Sequence, residues 1–146
     1  MAARTANAMW EGSTQEGRGE MSLGSGAFQG AYSFDSRFGE GDNGTNPEEL
    51  IAAAHAGCFT MALSLILTQA GTVPDSLQTN ARVSLRNLED TGPTITKITL
   101  KTTGKVPGID QEAFQKAAEE AKEACLVSRA LAGVKEMPLE ATLEAS

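Results

Sequence analysis

The sequence is poor in three residue types that often build catalytic or binding sites. Its 146 residues include one histidine and two cysteines, and aromatic residues make up 5% of the chain. Cys58 and Cys125 match neither a CxxC redox motif nor a zinc-binding spacing, and one histidine cannot complete a metal site with them. We therefore expect no bound metal, and a core built mainly of aliphatic side chains.

Basic residues are also scarce. Twelve Lys and Arg against 19 Asp and Glu give a net charge of −7 and a pI near 4.7. Such a chain lacks the basic patch that nucleic acids or anionic membrane surfaces require of a partner. The charge balance indicates an uncharged or weakly charged small substrate, or another protein, as the partner.

The first twelve residues, MAARTANAMWEG, contain no apolar segment of the kind found in a signal peptide. We therefore expect a cytoplasmic protein. A permanent disulfide is not expected in that reducing compartment, so the two cysteines are either buried free thiols or a transient redox pair. Composition alone does not choose between these hypotheses.

A long helix is predicted in the first half of the chain. Asn46 suits a helix N-cap, Pro47 suits the first helical position, and Glu48 and Glu49 place negative charge in the first turn. More than twenty residues rich in Ala, Leu, Ile and Met follow before Gly71 supplies the stop. At its full length this helix is on the order of 35 Å long.

The predicted helix is apolar nearly all round. Between Leu50 and Leu67, the clearly polar side chains are those of His55, Thr60 and Ser64. This pattern predicts burial on several sides, and the acids at its start together with His55 favour a core helix over a membrane span. Cys58 lies at the centre, where the simplest interpretation of a buried thiol is a small core hydrophobe.

The rest of the chain predicts short strands and a second helix, which makes the fold class α+β. Pro138 confines the last strand to a sheet edge or a bulge. We see no repeat or second domain and predict one domain over residues 1–146. Because its short strands cannot cover an apolar rod on all sides, we expect an intimate homodimer whose central helices pack on each other. The other predicted elements are strands at Thr5–Trp10, Gly19–Leu23 and Ala31–Phe38, a loop at Ser36–Gly44, a hairpin with arms at Leu77–Leu85 and Ile95–Thr102, a helix from Asp110 to Ala124, a helical segment at Val127–Leu131 and a strand at Val134–Leu143.

Six segments carry a recognisable pattern: Trp10–Gly12, Arg37–Phe38, Thr45–Phe59, Met61–Ser64, Ile95–Ile98 and Val106–Asp110. Together they resemble the OsmC branch of the OsmC/Ohr family of thiol-dependent organic hydroperoxide reductases. The resemblance covers nearly the entire chain. The motif around Cys58 is specific, and the second cysteine falls where the family has one.

This resemblance implies an OsmC-like fold, in which antiparallel sheets wrap around the two long buried central helices of a homodimer. It also implies a peroxidase that defends against oxidative and osmotic stress. Cys58 would be the peroxidatic cysteine, Cys125 the resolving one, Arg37 the activating arginine and Glu48 its acidic partner. The family commonly has Cys-Pro-Val-Ser at the second cysteine. Leu126 replaces that proline here, so we expect a looser backbone and slower disulfide formation.

The implied chemistry needs two thiols and no cofactor. A thiolate attacks the distal peroxide oxygen, expels an alcohol and becomes a sulfenic acid, which a second thiol converts to a disulfide. The resemblance suggests a dithiol reductant, with lipoyl groups as a candidate. Because Cys58 lies far from the helix N-terminus, an outside cation is needed to activate it, and Arg37 is our candidate.

The position of Glu48 poses a geometric problem. Glu48 and Cys58 are ten residues apart on one helix, or roughly 15 Å along its axis. Either Arg37 bridges part of this distance from its loop, or Glu48 comes from the partner subunit, which is our hypothesis. Glu49 is interpreted as a first-turn dipole residue. His55, one turn before Cys58, is either a base for the thiol or a hydrogen-bonded core histidine.

Two other functions fit the same residues. The protein could bind small hydrophobic molecules, with the cysteines serving as packing residues, or it could be a redox sensor whose disulfide signals without turnover. Catalytic turnover and its dependence on thiols distinguish these functions from a peroxidase. An apolar site would favour organic peroxides over hydrogen peroxide.

Overall fold

The computed structural model describes residues 2–40 and 43–145. It divides the chain into two compact units, Met1–Leu50 and Ile51–Ser146. The first unit holds a small sheet and a short helix, and the second holds a larger sheet and two more helices. The first turn of the long helix belongs to the first unit and the remainder to the second. The α+β class is as predicted.

The sheet of the first unit is the predicted meander. Its strands β1 (Ala6–Glu11), β2 (Arg18–Leu23) and β3 (Gln29–Tyr32) pair antiparallel in that order. The tight turns between them use glycine, as at Gly26, which has a φ of 78° that glycine adopts without strain.

The third predicted strand was too long, because a short helix replaces its second half. Helix α1 (Phe34–Phe38) begins at Ser33, whose hydroxyl accepts from the Ser36 backbone N–H at 3.1 Å. The Ser36 hydroxyl in turn accepts from the Ser33 backbone N–H at 2.8 Å, which completes a capping box. Arg37 therefore lies on a helix and not on the predicted loop. Two residues of that predicted loop, Gly41 and Asp42, lie outside the described residues.

Helix α2 (Pro47–Gln69) has the predicted limits. The Asn46 side chain accepts a hydrogen bond from the backbone N–H of Glu49 at 2.7 Å, as an N-cap should. The same side chain donates to the backbone carbonyl of Ser36 at 3.0 Å, which ties α1 to the start of α2.

The expectation that α2 is buried on several sides is wrong for the single chain. One stripe is buried, made of His55, Phe59, Leu63 and Leu67, which recur every four residues. On another face Met61 is 78% exposed. By length and composition alone α2 could also cross a membrane, although its buried stripe packs within the second unit.

The sheet of the second unit is mixed. Strands β4 (Ser76–Leu88) and β5 (Gly92–Lys105) form the predicted antiparallel hairpin, and β6 (Leu139–Leu143) pairs with β5 in parallel. The prediction of purely antiparallel sheets was therefore wrong for β6. The chain crosses over through two helices between β5 and β6, which brings β6 back in the same direction. Strand β6 lies at the edge of the sheet, as expected, but it is shorter than the predicted Val134–Leu143 because it begins only after Pro138.

The two crossover helices close the core of the second unit. Asp110 caps α3 (Gln111–Ala124) through a 2.9 Å bond from the backbone N–H of Ala113, and α4 (Leu126–Ala130) follows after one residue. The core is largely aliphatic, with two buried phenylalanines. Its fully buried members include Phe59, Leu63, Leu100, Phe114, Ala118 and Ala121.

Candidate active site

The structure places the four predicted site residues in two pairs, one in each unit. The first pair consists of Cys58 and Cys125. Both are free thiols, and Cys58 packs against the buried cluster that includes Cys125. Packing of α2 against the α3–α4 junction therefore joins residues that are far apart in the sequence.

Cys58 is more accessible than the sequence indicated. It lies on α2 beside the buried stripe and is half-buried, whereas we expected a thiol in the middle of a fully buried helix. In the single chain the Cys58 side chain is therefore partly accessible. Cys125 is 1% exposed and is shielded by the core.

Cys125 lies at a junction between two helices. It ends α3 and is also the N-cap of α4, where its sulfur accepts a hydrogen bond from the backbone N–H of Ser128 at 3.5 Å. Leu126 occupies the first position of α4 and is 68% exposed. A proline would also suit that position, since its N–H has no partner within the helix. The cap therefore forms with leucine in place of the family's proline.

Two opposing effects act on the Cys125 thiol. Burial raises its pKa, because the charged form loses water. Hydrogen bonds from the side chain and backbone of Ser128, from Cys58 and from the backbone of Val127 lower it. The net result is a pKa below the ordinary value for cysteine. Hydrogen bonding thus favours a thiolate even at this buried position.

The second pair is an ion pair between Arg37 and Glu48 in the first unit. The Arg37 Nη2 atom lies 2.7 Å from Glu48 Oε1, and Nε lies 3.0 Å from Oε1 and 3.3 Å from Oε2. The Glu48 side chain is 8% exposed and that of Arg37 is 40% exposed. Such a fork holds the guanidinium plane in one orientation.

Glu49, the neighbouring acid, plays a different part. Its carboxylate accepts a hydrogen bond from the Thr45 hydroxyl at 2.9 Å, and its side chain is exposed in the first turn of α2. This placement agrees with the interpretation of Glu49 as a first-turn dipole residue. Glu48, not Glu49, is the residue that holds Arg37.

Aromatic side chains surround Arg37. Its guanidinium carbon lies 5.1 Å from the ring centre of Phe38, and the Phe34 and Phe38 rings are 5.2 Å apart. Trp10 and Tyr32 pack edge to face at 5.4 Å on the sheet of the first unit. These side chains line a cavity of 260 Å³ with Arg37 in its wall. The cavity offers apolar surface next to a cation.

His55 is a hydrogen-bonded core histidine. It is fully buried, and its Nε2 atom lies 2.7 Å from the Ser128 hydroxyl oxygen. Its pKa is lowered, mainly by burial and also by the charge of Lys122. The imidazole is therefore neutral near pH 7, and its hydrogen-bonding nitrogen is engaged by Ser128.

Sequence reasoning missed Ser128. A signal was present, because Ser128 follows Cys125 by three residues, which is the spacing between an N-cap and the N–H that it caps. No group of three or more His, Cys, Asp or Glu that could hold a metal occurs in residues 2–40 and 43–145.

Several known proteins are similar to this chain in sequence. The family model described as OsmC-like protein matches residues 39–139. Peroxiredoxin OsmC of Escherichia coli (strain K12) is 52% identical over 125 residues, which cover 85% of this chain and 86% of that protein. Organic hydroperoxide resistance protein OhrB of Bacillus subtilis (strain 168) is 36% identical over 101 residues, or 69% of this chain and 72% of that protein.

A solved structure supports the fold over nearly the whole chain. The crystal structure of an organic hydroperoxide resistance protein from Elizabethkingia anophelis, with thiocyanate bound, matches with a TM-score of 0.75. The match covers 99% of both chains at 24% identity. At that identity the match supports the fold alone.

Proposed function

The chain belongs to the OsmC family, and we propose that Cys58 and Cys125 carry its catalytic cycle. The protein is a cysteine-based, thiol-dependent peroxidase that reduces organic hydroperoxides in stress defence. Cys58 is the peroxidatic residue in this proposal and Cys125 the resolving one.

The proximity of the two thiols carries the proposal, because Cys58 packs against the buried cluster that contains Cys125 and helps to lower the Cys125 pKa. A resolving thiol must reach the sulfenic acid, and this packing favours that approach. Their exposure supports the order of the roles, because Cys58 is half-buried while Cys125 is 1% exposed. Peroxide oxidises Cys58 and leaves as an alcohol. Cys125 then forms the disulfide, which a thiol reductant reopens.

Arg37 is the cation that we propose for the thiolate and for the developing alkoxide. Glu48 holds its guanidinium in a fork, so the positive charge is already oriented before substrate binds. The aromatic cavity beside it suits the apolar part of an organic hydroperoxide. Because Glu48 and Cys58 are roughly 15 Å apart along α2, we propose that Arg37 and Glu48 act on the Cys58 of a partner subunit.

This arrangement requires a homodimer, built from one OsmC-like domain of residues 1–146 in each subunit. The exposed apolar face of α2 supports it, with Met61 78% and Leu65 57% exposed. Apolar side chains of this size gain free energy when a second copy covers them. We also propose a cytoplasmic location and a dithiol reductant, with lipoyl groups as a candidate.

Steady-state consumption of cumene hydroperoxide with a dithiol reductant tests the cycle. The parent protein should turn over, and Cys58→Ser should lose all activity. Cys125→Ser should still be oxidised once by peroxide but should cycle slowly, since its sulfenic acid has no internal thiol partner. If parent and both variants are equally inert, the cysteines are packing residues and a ligand-binding function replaces this proposal. A single oxidation without turnover would indicate a sensor.

A further inference from the structure

A chain of buried polar groups connects α2 to the sulfur of Cys125. His55 Nε2 lies 2.7 Å from the hydroxyl oxygen of Ser128, which is 7% exposed. The Ser128 backbone N–H donates to the Cys125 sulfur at 3.5 Å, so one residue contacts both His55 and Cys125. The side chains of Ser128 and Cys58 also help to lower the pKa of the Cys125 thiol.

The direction of the hydrogen bonds follows from the other ring nitrogen. Within the described residues, His55 Nδ1 is buried and has no hydrogen-bond partner. A buried N–H without an acceptor is rare, so the proton belongs on Nε2. Nε2 then donates to the Ser128 oxygen, and the Ser128 hydroxyl is left to donate to the sulfur. The opposite tautomer would turn the hydroxyl proton toward His55 and away from Cys125.

We infer that His55 and Ser128 are positioning residues that prepare Cys125 to attack the Cys58 sulfenic acid. His55 orients the Ser128 hydroxyl, and Ser128 presents two donors to the sulfur, which favours the thiolate. This inference rests on the proposed function, in which Cys125 is the resolving residue. It replaces the hypothesis that His55 is a base for Cys58, because the imidazole engages Ser128.

The resolving step balances without any further reactant. The Cys125 thiolate attacks the Cys58 sulfur, the S–S bond forms as the S–O bond breaks, and the hydroxide that leaves takes up a proton to become water. The Cys125 thiol released one proton when it became a thiolate, so the step as a whole neither gains nor loses a proton. The peroxide consumed in the first step is the sole oxidant.

Titration of Cys125 alone tests the hydrogen-bond chain. In full-length Cys58→Ala protein, Cys125 is the one remaining cysteine, and its thiolate is followed by absorbance at 240 nm against pH. Ser128→Ala should raise the midpoint by about one pH unit, the value of a typical hydrogen bond. Ser128→Thr, which keeps the hydroxyl, should restore it. Two other titratable groups act on these residues. Cys58, which acts on Cys125, is absent from this variant, and Lys122 acts on His55.

The histidine is tested in the same background. His55→Phe removes the donor to Ser128 and should raise the midpoint, while His55→Gln offers an amide N–H and should stay nearer the parent. Ser84→Ala, at a half-buried serine of β4, is the matched control and should leave the midpoint unchanged. A parent-like midpoint in Ser128→Ala would overturn the inference.

A kinetic test uses the protein with both cysteines. One equivalent of cumene hydroperoxide is added, and dimedone quenches the sulfenic acid at intervals. In Ser128→Ala the sulfenic acid should persist about 10-fold longer than in the parent, as expected for one lost hydrogen bond. Equal lifetimes in parent and variant would refute the positioning role. Absence of any sulfenic acid in the parent would instead refute the proposed function, and the titration decides the hydrogen-bond chain independently.

Discussion

Replacing Arg37 by methionine should separate the catalytic use of its charge from its structural use. Arg37 offers the cation proposed for the Cys58 thiolate, and its guanidinium makes three contacts of 2.7 to 3.3 Å with the buried Glu48 carboxylate. Methionine keeps much of the length of the side chain and removes both the charge and the donors. Activity and stability should therefore fall together in this variant.

The expected sizes of the two losses differ. Removing one preorganised donor from a developing oxyanion lowers kcat by about 10²–10³-fold, or about 2.7–4 kcal/mol. Leaving a buried carboxylate without its partner costs about 3–5 kcal/mol. Water screens this pair, because the Arg37 side chain is 40% exposed, so we expect about 1–2 kcal/mol. For a chain of this length that is a Tm lower by about 2–8 °C.

The second replacement, Glu48→Gln, tells the two losses apart. In the double variant the unpaired carboxylate is gone, so the Tm should recover most of its loss. The activity should not recover, because the cation is still absent. The assays are kcat/KM for cumene hydroperoxide at a temperature well below either Tm, and thermal unfolding followed by circular dichroism.

Arg18 provides the matched control. It forms a 3.5 Å ion pair with Glu11 on the same unit, but the two side chains are 82% and 57% exposed. Arg18→Met should change neither activity nor Tm appreciably. If Arg37→Met stays within twofold of Arg18→Met in kcat/KM, Arg37 is not the activating cation. Recovery of activity together with stability in the double variant would show that Arg37 acts only through the fold.

Two further predictions concern the dimer and pH. Met61→Glu places a charge on the exposed apolar face of α2 and should convert a dimer of about twice 15.3 kDa into a monomer by light scattering. Ala113→Glu on the exposed face of α3 should not, and a monomeric parent would contradict the dimer. His55 has a pKa below its unfolded value, so the unfolded state binds its proton first as pH falls. The stability that its neutral form contributes is present above pH 6.5 and is lost as pH falls through the folded-state pKa. Urea unfolding of the parent should therefore give a lower free energy of unfolding at pH 5.5 than at pH 7.5, and this difference should be smaller in His55→Gln. The same difference in parent and variant would refute the prediction.

The limits of α2 were readable from the sequence because local signals set them. Asn46 caps the helix through its own side chain, and Gly71 adopts a φ of 86° just after the end of α2. The hairpin of β4 and β5 followed from alternating residues around a turn in the same way. Helix α1 was missed although its capping box is also local, since Ser33 and Ser36 lie within a run that resembles a strand.

The site residues came from the family resemblance and not from composition or spacing. Composition left Cys58 open as a packing residue. The resemblance implied Glu48 as the partner of Arg37, and the folded chain shows the contact: the carboxylate of Glu48, and not that of Glu49, binds the guanidinium. Adjacent carboxylates on a helix point in different directions, and the position of α1 decides which of them meets the guanidinium.

The sequence by itself determined most of the helices and strands, the charge and the absence of cofactor-binding motifs, because these depend on neighbours along the chain. The tertiary structure decided that β6 runs parallel to β5, that Cys58 is half-buried, and that Cys125 meets both Cys58 and Ser128. These features depend on how α2, α3 and α4 pack. Contacts between residues that are distant in sequence form only when buried surfaces match, and no local pattern of residues specifies that match.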